Sequence, residues 1–489
     1  MSKPFGTILV ANRGEIAVRI LRTVKSMGIR GAIVCHELDA DSPAARLADI
    51  VIPIEGTPVG SYLDGEQIIR KARAADVNSI HPGYGFLSEN AAFARQVADA
   101  GMTFIGPSPA TIELMGDKIR ARAFVADRGF PVAPSAIEDD DPATFAERAR
   151  TVGAPLLIKP SAGGGGKGMH IVRDLALLDE AIARARSEAE RYFGDGRLYA
   201  ERYIERPRHI EVQVLGDAHG NVIHLFEREC SLQRRFQKIV EECPSPALSQ
   251  DERERICETA AGIARAAEYS NAGTVEFIYG EGQFYFLEMN TRLQVEHPVT
   301  EEATGIDLVA AQIRIATGDP LGLSQADISL TGHAIELRIY AEDAARDFTP
   351  TTGRVLAFCP PEGVRVDAGI RDGSNVTAAF DPMLAKLVVH AGTRHEAIDR
   401  ARAALSRFVV LGCQTNIAFL DRLMADTDVA NGNLHTGLIA EKPELLADPP
   451  LAPQELIQIL GIAARAMRPV TDAADAIATM HVRMGGWRN

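Results

Sequence analysis

The chain has 489 residues, 46% of them hydrophobic and 24% charged, with a formal net charge of −14. A single core rarely grows past about 250–300 residues, so several domains are expected. The negative balance argues against general nucleic-acid binding, which needs a clustered positive surface, but leaves room for a local cationic pocket. The six cysteines (Cys35, Cys230, Cys243, Cys257, Cys359, Cys413) form no CxxC pair and no framework of a small secreted domain. That predicts buried thiols in a reducing compartment. The start "MSKPFGTILVANRGE" lacks the apolar run of a signal peptide, and no later stretch offers about 18 unbroken apolar residues. A soluble cytoplasmic protein is expected.

In chain order, "GTILVAN" predicts a buried strand, residues 14–27 an amphipathic helix and "GAIVCH" a second strand. This alternation is that of a parallel α/β unit. Its first turn carries no GxGxxG, so no dinucleotide site is expected there. Similar material runs through "FIGPSPATIELMGDK". Further on, "PLLIKP" and "HIVRD" read as strands around the glycine loop "SAGGGGKGM", with more strands at "HIEVQVLGD", "NVIHLFERE", "GTVEFIYG" and "QFYFLEMN". Helices are expected near 174–192 and 251–269, giving an α+β unit. "GHAIELRIYAED" opens a third section that ends on a helix near 394–407, and the stretch from "DPPLAPQELIQ" reads as two modest helices.

Several clusters carry chemistry. The loop Gly163–Gly168 is not a Walker A motif, because Lys167 is followed by Gly168 and the loop joins two strands. It fits a flexible hairpin whose amides fold over phosphates, with Lys118 and Lys159 as point charges. Glu276 and Glu288 lie near opposite ends of a hairpin turned by "GEGQ", so they face each other across strands, and Asn290 shares the face of Glu288. Two carboxylates and an amide oxygen are hard ligands suited to Mg²⁺. Arg292, Gln294 and Glu296 follow at every second position, and an extended backbone points all three into one pocket. A guanidinium and an amide clamp a small planar oxyanion such as bicarbonate while a carboxylate removes its proton. "SLQRRFQKIVEE" at 231–242 reads as a nucleic-acid patch, a solvated face or part of an anion site.

The motifs "ANRGEIAVRI", "HPGYGFLSEN", "GDK", "KPSAGGGGKGM", "QRRFQK", "EMNTRLQVEHPVTE", "GHAIELRIYAED", "DPMLAKL" and "TN" occur in order over about residues 5–445. In them the chain resembles the biotin carboxylase component of biotin-dependent carboxylases, an ATP-grasp fold. The resemblance implies an α/β and α+β multidomain architecture: an N-terminal Rossmann-like domain (1–115), an ATP-grasp domain (116–328, lid about 131–203), a C-terminal domain (329–445) and a helical tail (446–489). It implies MgATP-dependent carboxylation of biotin by bicarbonate through carboxyphosphate, with Mg²⁺ or Mn²⁺ as metal.

By position, Lys118, Lys159, Gly163, Gly164, Gly165, Gly166, Lys167 and Gly168 match the groups that hold ATP phosphates. Glu201, Arg202, Tyr203 and Ile204 match the hinge that receives adenine, and His209 and Gln233 lie near ribose and phosphates. Glu276 and Glu288, which also count among the ATP-binding residues, and Asn290 match metal ligands. Lys238, Arg292, Gln294 and the Val295 backbone match the bicarbonate site, with Glu296 as general base. Arg338 matches the group that stabilises the biotin enolate, and Tyr84 of "HPGYGF" lies near the biotin pocket. The expected partners are a biotin carboxyl carrier protein, because no "AMKM"-like attachment sequence occurs, a carboxyltransferase subunit and a second copy of the chain; no nucleic acid and no membrane is expected. One departure stands out: the family usually has His where this chain has Phe236. A polar contact at the nucleotide end is thereby lost, and weakened or retuned ATP handling with catalysis kept is expected. The competing readings are another ATP-grasp ligase and a catalytically silent nucleotide-binding subunit.

Overall fold

The α/β alternation at the start of the chain builds a parallel sheet. In the computed structural model, which describes residues 5–138, 141–160 and 168–447, the strands are β1 (Thr7–Val10), β2 (Arg30–Cys35), β3 (Ile50–Pro53), β4 (Ser79–His81) and β5 (Thr103–Phe104). Their order is β3-β2-β1-β4-β5, every pairing parallel. β1 is buried along its length, as a strand covered by helices on both faces must be. Helix α1 (Gly14–Ser26) buries Ile16, Ala17, Ile20, Leu21 and Val24, one stripe at helical spacing. In open parallel sheets ligands collect beyond the carboxyl ends of the strands. There "ANRGE" follows β1 and "HPGYGF" follows its neighbour β4. Asn12 Nδ2 ties them by donating to the carbonyls of Pro82 (2.7 Å) and Tyr84 (2.8 Å).

After helix α2 (Lys118–Asp127) comes a small antiparallel sheet of β6 (Ser135–Ile137), β7 (Leu156–Pro160), β8 (His170–Val172) and β9 (Leu198–Arg202), in the order β6-β9-β7-β8. Helix α3 (Leu178–Phe193) packs on it, and Ile182, Ala185 and Ala189 join Leu156, Ile158 and Ala200 in a separate core. β7 and β8 pair as the two expected strands around the glycine loop. Gly163, Gly164, Gly165, Gly166 and Lys167 lie outside the described residues, as do the two helices expected in the tail.

The largest element is an eight-stranded sheet. It uses β10 (Arg208–Gly216), β11 (Val222–Arg234), β12 (Gln237–Cys243), β13 (Asn271–Gly280), β14 (Gln283–Asn290), β15 (His333–Tyr340), β16 (Arg365–Ala368) and β17 (Met383–Ala391). Their order is β14-β13-β10-β11-β12-β15-β17-β16. The section opened by "GHAIELRIYAED" therefore continues this sheet through β12 and β15, with Val240 opposite Leu337 and Glu241 opposite Glu336. Helix α4 (Gln250–Ala266), with Ser249 and Glu252 forming a capping box, covers one side; α5 (His297–Thr304) and α6 (Arg394–Leu405) complete the framework used below.

Two expectations need correction. Cys35, Cys230, Cys243 and Cys257 are buried, but Cys359 is exposed and Cys413 half-buried, because both sit by short surface strand pairs rather than in a core. Arg292, Gln294 and Glu296 are not on an extended strand: the chain bends at Arg292 and turns at Val295 and Glu296, which caps α5. Among the described residues no helix is long and apolar enough to cross a membrane.

Candidate active site

A cavity of about 1230 Å³ opens between the small sheet, the eight-stranded sheet and the strand ends of the parallel sheet. Every described residue singled out from the sequence lines it except Gly168: Tyr84, Lys118, Lys159, Glu201, Arg202, Tyr203, Ile204, His209, Gln233, Lys238, Glu276, Glu288, Asn290, Arg292, Gln294, Val295, Glu296 and Arg338. Gly168 sits just outside, in the left-handed conformation (φ +74°) that glycine adopts without strain.

The register of the large sheet builds the centre. Glu288 on β14 lies opposite Glu276 on β13, Glu276 opposite Glu211 on β10, and Glu211 opposite Arg228 on β11. Cross-strand partners share a face, so three carboxylates stand in a row ending on a guanidinium. Arg228 is wholly buried; its Nε donates to Glu211 Oε1 at 2.5 Å, and its other nitrogens donate to Gln213 (2.9 Å), Thr300 (2.9 Å) and Thr274 (3.1 Å). Lys238 on β12 covers the row, its Nζ donating to Glu211 (2.5 Å), Glu276 (3.0 Å) and Glu296 (2.6 Å). His209 pairs with Glu276 at 3.0 Å.

Although the segment is turned, its three side chains do converge. Arg292 Nη1 donates to Gln294 Oε1 (3.0 Å), Gln294 Nε2 donates to Glu276 Oε1 (3.1 Å), and Glu296 reaches Lys238. Glu89 of "HPGYGFLSEN" anchors Arg292 through Nε at 2.8 Å. Glu296 is fully buried. Burial alone pushes its carboxyl up, but Lys238, Arg338 and Arg228 outweigh that and hold it well below the ordinary carboxylate range. It is therefore ionised at neutral pH and placed to accept a proton. Glu276 is likewise held low, by Lys238 and His209 against its burial, whereas burial and Glu296 drive Glu211 up.

The metal-ligand expectation meets a mixed geometry. Asn290 Nδ2 donates to Glu276 Oε1 at 2.9 Å, so those two are together, while Glu288 is paired with Lys118 at 2.8 Å. Among the described residues two groups bring ligand atoms within 4.8 Å of one another: His209, Glu211 and Glu276, and Glu211, Cys230 and Glu296. Against its burial, Glu276 holds His209 above its ordinary value, which favours the protonated ring over a neutral ligand. The hard oxygen set Glu276, Glu288 and Asn290 suits Mg²⁺ better.

Toward the small sheet, Lys159 pairs with Glu201. The amides of Arg202 and Tyr203 are taken by the carbonyls of Pro134 and Pro155 (2.9 Å each). Gln233 lies opposite Lys238, just before the two-residue turn Arg235–Phe236, where both φ are positive (+48° and +68°). Phe236 is 66% exposed and lines the cavity mouth. Arg234 pairs with Glu342 (3.1 Å) and lies over the Phe348 ring, and Arg235 pairs with Asp347.

At the other end, Arg338 on β15 donates from Nε to Glu241 Oε1 (2.6 Å) and from Nη2 to Glu296 Oε2 (3.0 Å). Tyr84 donates to Glu15, and Lys386, with no exposed surface, donates to the Val295 carbonyl (2.8 Å) and approaches Glu15 (3.3 Å). Sequence reasoning assigned no role to Glu15, Glu211, Arg228, Glu241 or Lys386. The available signal was a lone charge inside an apolar strand run, as in "HIEVQV" and "LAKLVV".

Three family models match: Biotin carboxylase, N-terminal domain, over residues 4–112; Carbamoyl-phosphate synthase L chain, ATP binding domain, over 117–324; and Biotin carboxylase C-terminal domain over 336–441. The biotin carboxylase of Halalkalibacterium halodurans is 49% identical over 427 residues, 86% of this chain and 94% of that one. This chain belongs to the biotin carboxylase family. It is also 47% identical over 452 residues to the mitochondrial methylcrotonoyl-CoA carboxylase subunit alpha of Arabidopsis thaliana, matching 90% of this chain but 61% of that longer relative. Among solved structures, the biotin carboxylase domain dimer of Hydrogenobacter thermophilus 2-oxoglutarate carboxylase, in complex with MgADP, ADP and bicarbonate, superposes with a TM-score of 0.85. It is 43% identical and covers 92% of this chain and all of that one.

Proposed function

We propose that this chain carboxylates biotin, carried on a separate carrier protein, with bicarbonate and MgATP, as the first half-reaction of a biotin-dependent carboxylase. The observation that carries the reading is Lys238, which draws Glu296, Glu276 and Glu211 to one point beside Arg292, Gln294 and Arg338. In this reading Lys238, Arg292, Gln294 and the Val295 backbone hold bicarbonate, and the ionised Glu296 takes its proton. The bicarbonate oxygen then attacks the γ-phosphoryl group of ATP, breaking its bond to ADP and giving carboxyphosphate. Lys118, Lys159 and Lys238 offset the charge spread over the transferring group.

Glu276, Glu288 and Asn290 would hold Mg²⁺, which supplies further neutralisation of the phosphates. Carboxyphosphate releases CO₂ and phosphate, the phosphate takes the proton from biotin N1, and Arg338 stabilises the enolate that captures CO₂. Such a sequence needs a site closed to water, since the intermediate would otherwise hydrolyse; the small sheet over the cavity is placed to supply that cover. A carboxyltransferase component then chooses the final acceptor, and the working assembly includes a homodimer of this chain.

The test is bicarbonate-dependent ATP hydrolysis with and without free biotin. Stimulation by biotin is expected. Hydrolysis indifferent to both bicarbonate and biotin would sink the reading in favour of another ligase or a silent subunit.

A further inference from the structure

Behind Arg338 lies a buried carboxyl pair that the reaction above does not use. Glu241 on β12 and Glu336 on β15 are direct cross-strand partners, both with no exposed surface. Cross-strand partners place their Cβ atoms about 4.5–5.5 Å apart on one face, so two carboxyl groups confront each other inside the sheet. Both Glu336 oxygens and Glu241 Oε2 have no hydrogen-bond partner among the described residues. Glu241 Oε1 instead receives two nitrogens of Arg338, Nε at 2.6 Å and Nη2 at 2.5 Å, and the same Nη2 reaches Glu296 at 3.0 Å.

The charged and titratable groups facing this pair come from every element around it: Arg338 beside Glu336 on β15, Lys238 on β12, Cys230 on β11, Glu296 on the turn before α5, Lys386 on β17 and Glu15 on α1. Tyr84 and Tyr340 close the cluster from the "HPGYGF" turn and the end of β15. Four buried carboxylates, Glu15, Glu241, Glu296 and Glu336, thus crowd on Arg338, Lys386 and Lys238, and Lys238 is already shared with Glu211 and Glu276. Cations are too few for every carboxyl to ionise. The one with no donor at either oxygen, Glu336, is the one that stays protonated.

We propose that Glu241 is the positioning residue for Arg338, and that its own ionisation decides whether the guanidinium is anchored or loose. The inference rests on the reading of Arg338 as the group that faces the biotin enolate. When Glu241 is ionised it fixes two of the three guanidinium nitrogens and leaves the head aimed past Glu296 into the cavity. When Glu241 takes up a proton, its oxygen binds the cation weakly and Arg338 falls back on Glu296, the proposed base. Burial and the neighbouring Glu296, against Arg338 and Lys238, push the Glu241 carboxyl up to about 7, inside the working range; Glu336 is driven well above the ordinary carboxylate value by burial, with Glu241 adding to it against Lys386 and Arg338.

The experiment is the pH profile of biotin-stimulated ATP hydrolysis from about pH 6 to about pH 8.5, in the wild type, Glu241→Gln and Glu336→Gln. The wild type should show a limb rising through about pH 7. Glu241→Gln should flatten it and lie up to about 10²-fold below the wild type at the alkaline end, the scale of a misplaced catalytic group. It should depress the biotin-stimulated rate more than the biotin-free rate. Glu336→Gln keeps a neutral side chain of the same shape and should retain the limb.

Difference infrared titration supplies the second readout, because it needs folded protein and no turnover. A carboxylic-acid band should disappear through neutral pH in the wild type and be missing in Glu241→Gln, while a second persists and is missing in Glu336→Gln. A limb unchanged in Glu241→Gln, or a wild type without the titrating band, overturns the assignment. If biotin fails to stimulate the wild type, the proposed function fails instead, and the infrared titration alone decides for or against the Glu241 ionisation.

Discussion

Replacing Lys238 by Gln removes the one side chain that touches Glu211, Glu276 and Glu296 together, at 2.5, 3.0 and 2.6 Å. Removing one partner of a buried ion pair costs about 3–5 kcal/mol, because a charge is left uncompensated. Here three carboxylates lose their shared cation, Arg228 still holds Glu211, and Arg338 still holds Glu296. A loss of about 3–5 kcal/mol at about pH 8 follows. The pH dependence has a definite sign. Glu276 and Glu296 are held below the ordinary carboxylate value, so their contribution is present above that value and lost as pH falls through the folded one. Lys238 is held above its ordinary value, so its contribution is fully present below that value and lost only as pH rises past the folded one. All three contributions are therefore complete at neutral pH in the wild type.

In Lys238→Gln the stranded carboxylates are relieved by taking up protons, so the deficit should shrink toward about pH 5.5. Urea unfolding followed by circular dichroism at both pH values measures it. A deficit below about 1 kcal/mol, or one of equal size at both pH values, would refute the claim that Lys238 is the shared counter-charge. Bicarbonate-dependent ATP hydrolysis in the same variant should fall about 10²-fold or more.

Glu296→Gln should lower bicarbonate-dependent hydrolysis by about 10²–10⁴-fold with little change in the KM for ATP, which steady-state kinetics resolves. Phe236→His should lower the KM for ATP by about 2- to 10-fold, the net worth of one hydrogen bond; unchanged kinetic constants would remove the idea that Phe236 retunes nucleotide handling. Lys386→Met strands Glu15 and frees the Val295 carbonyl. It should cost about 3–5 kcal/mol in urea unfolding and raise the KM for bicarbonate.

The Glu276–Glu288 pairing was legible because the short turn "GEGQ" fixes hairpin register, and register fixes which side chains face each other. The convergence of Arg292, Gln294 and Glu296 was foreseen for a reason the backbone does not obey. A bend and a turn bring them together, and periodicity carries no signal for that. The place of Glu211 beside Glu276 was hidden because β10 pairs with β13, its partner far along the chain, and local pattern does not say which strands become neighbours. Lys386 and Glu15 were hidden for the same reason on a larger scale: they meet where helix α1 packs on β16 and β17 of the eight-stranded sheet. Glu241, in "QKIVEEC", looked like one more charge in a basic and acidic run. Its role depends on the pairing of β12 with β15 across the expected domain boundary.

These placements share one physical logic. Among the described residues each cation assigned to a substrate anion is already paired with a carboxylate: Lys118 with Glu288, Lys159 with Glu201, Lys238 with Glu211, Glu276 and Glu296, Arg292 with Glu89, and Arg338 with Glu241 and Glu296. Burying bare cations would cost several kcal/mol each, so the fold neutralises them internally. In the proposed function, binding nucleotide and bicarbonate is then an exchange of partners rather than the filling of an empty positive pocket. The carboxylates that lose their lysines, Glu288 and Glu276 above all, become free to take a divalent cation, so nucleotide and metal should enter together. The same exchange explains how a chain with a net charge of −14 can hold a polyanion: affinity is set by local pairs a few ångströms apart, where the protein interior screens little, and not by the distant surface charge.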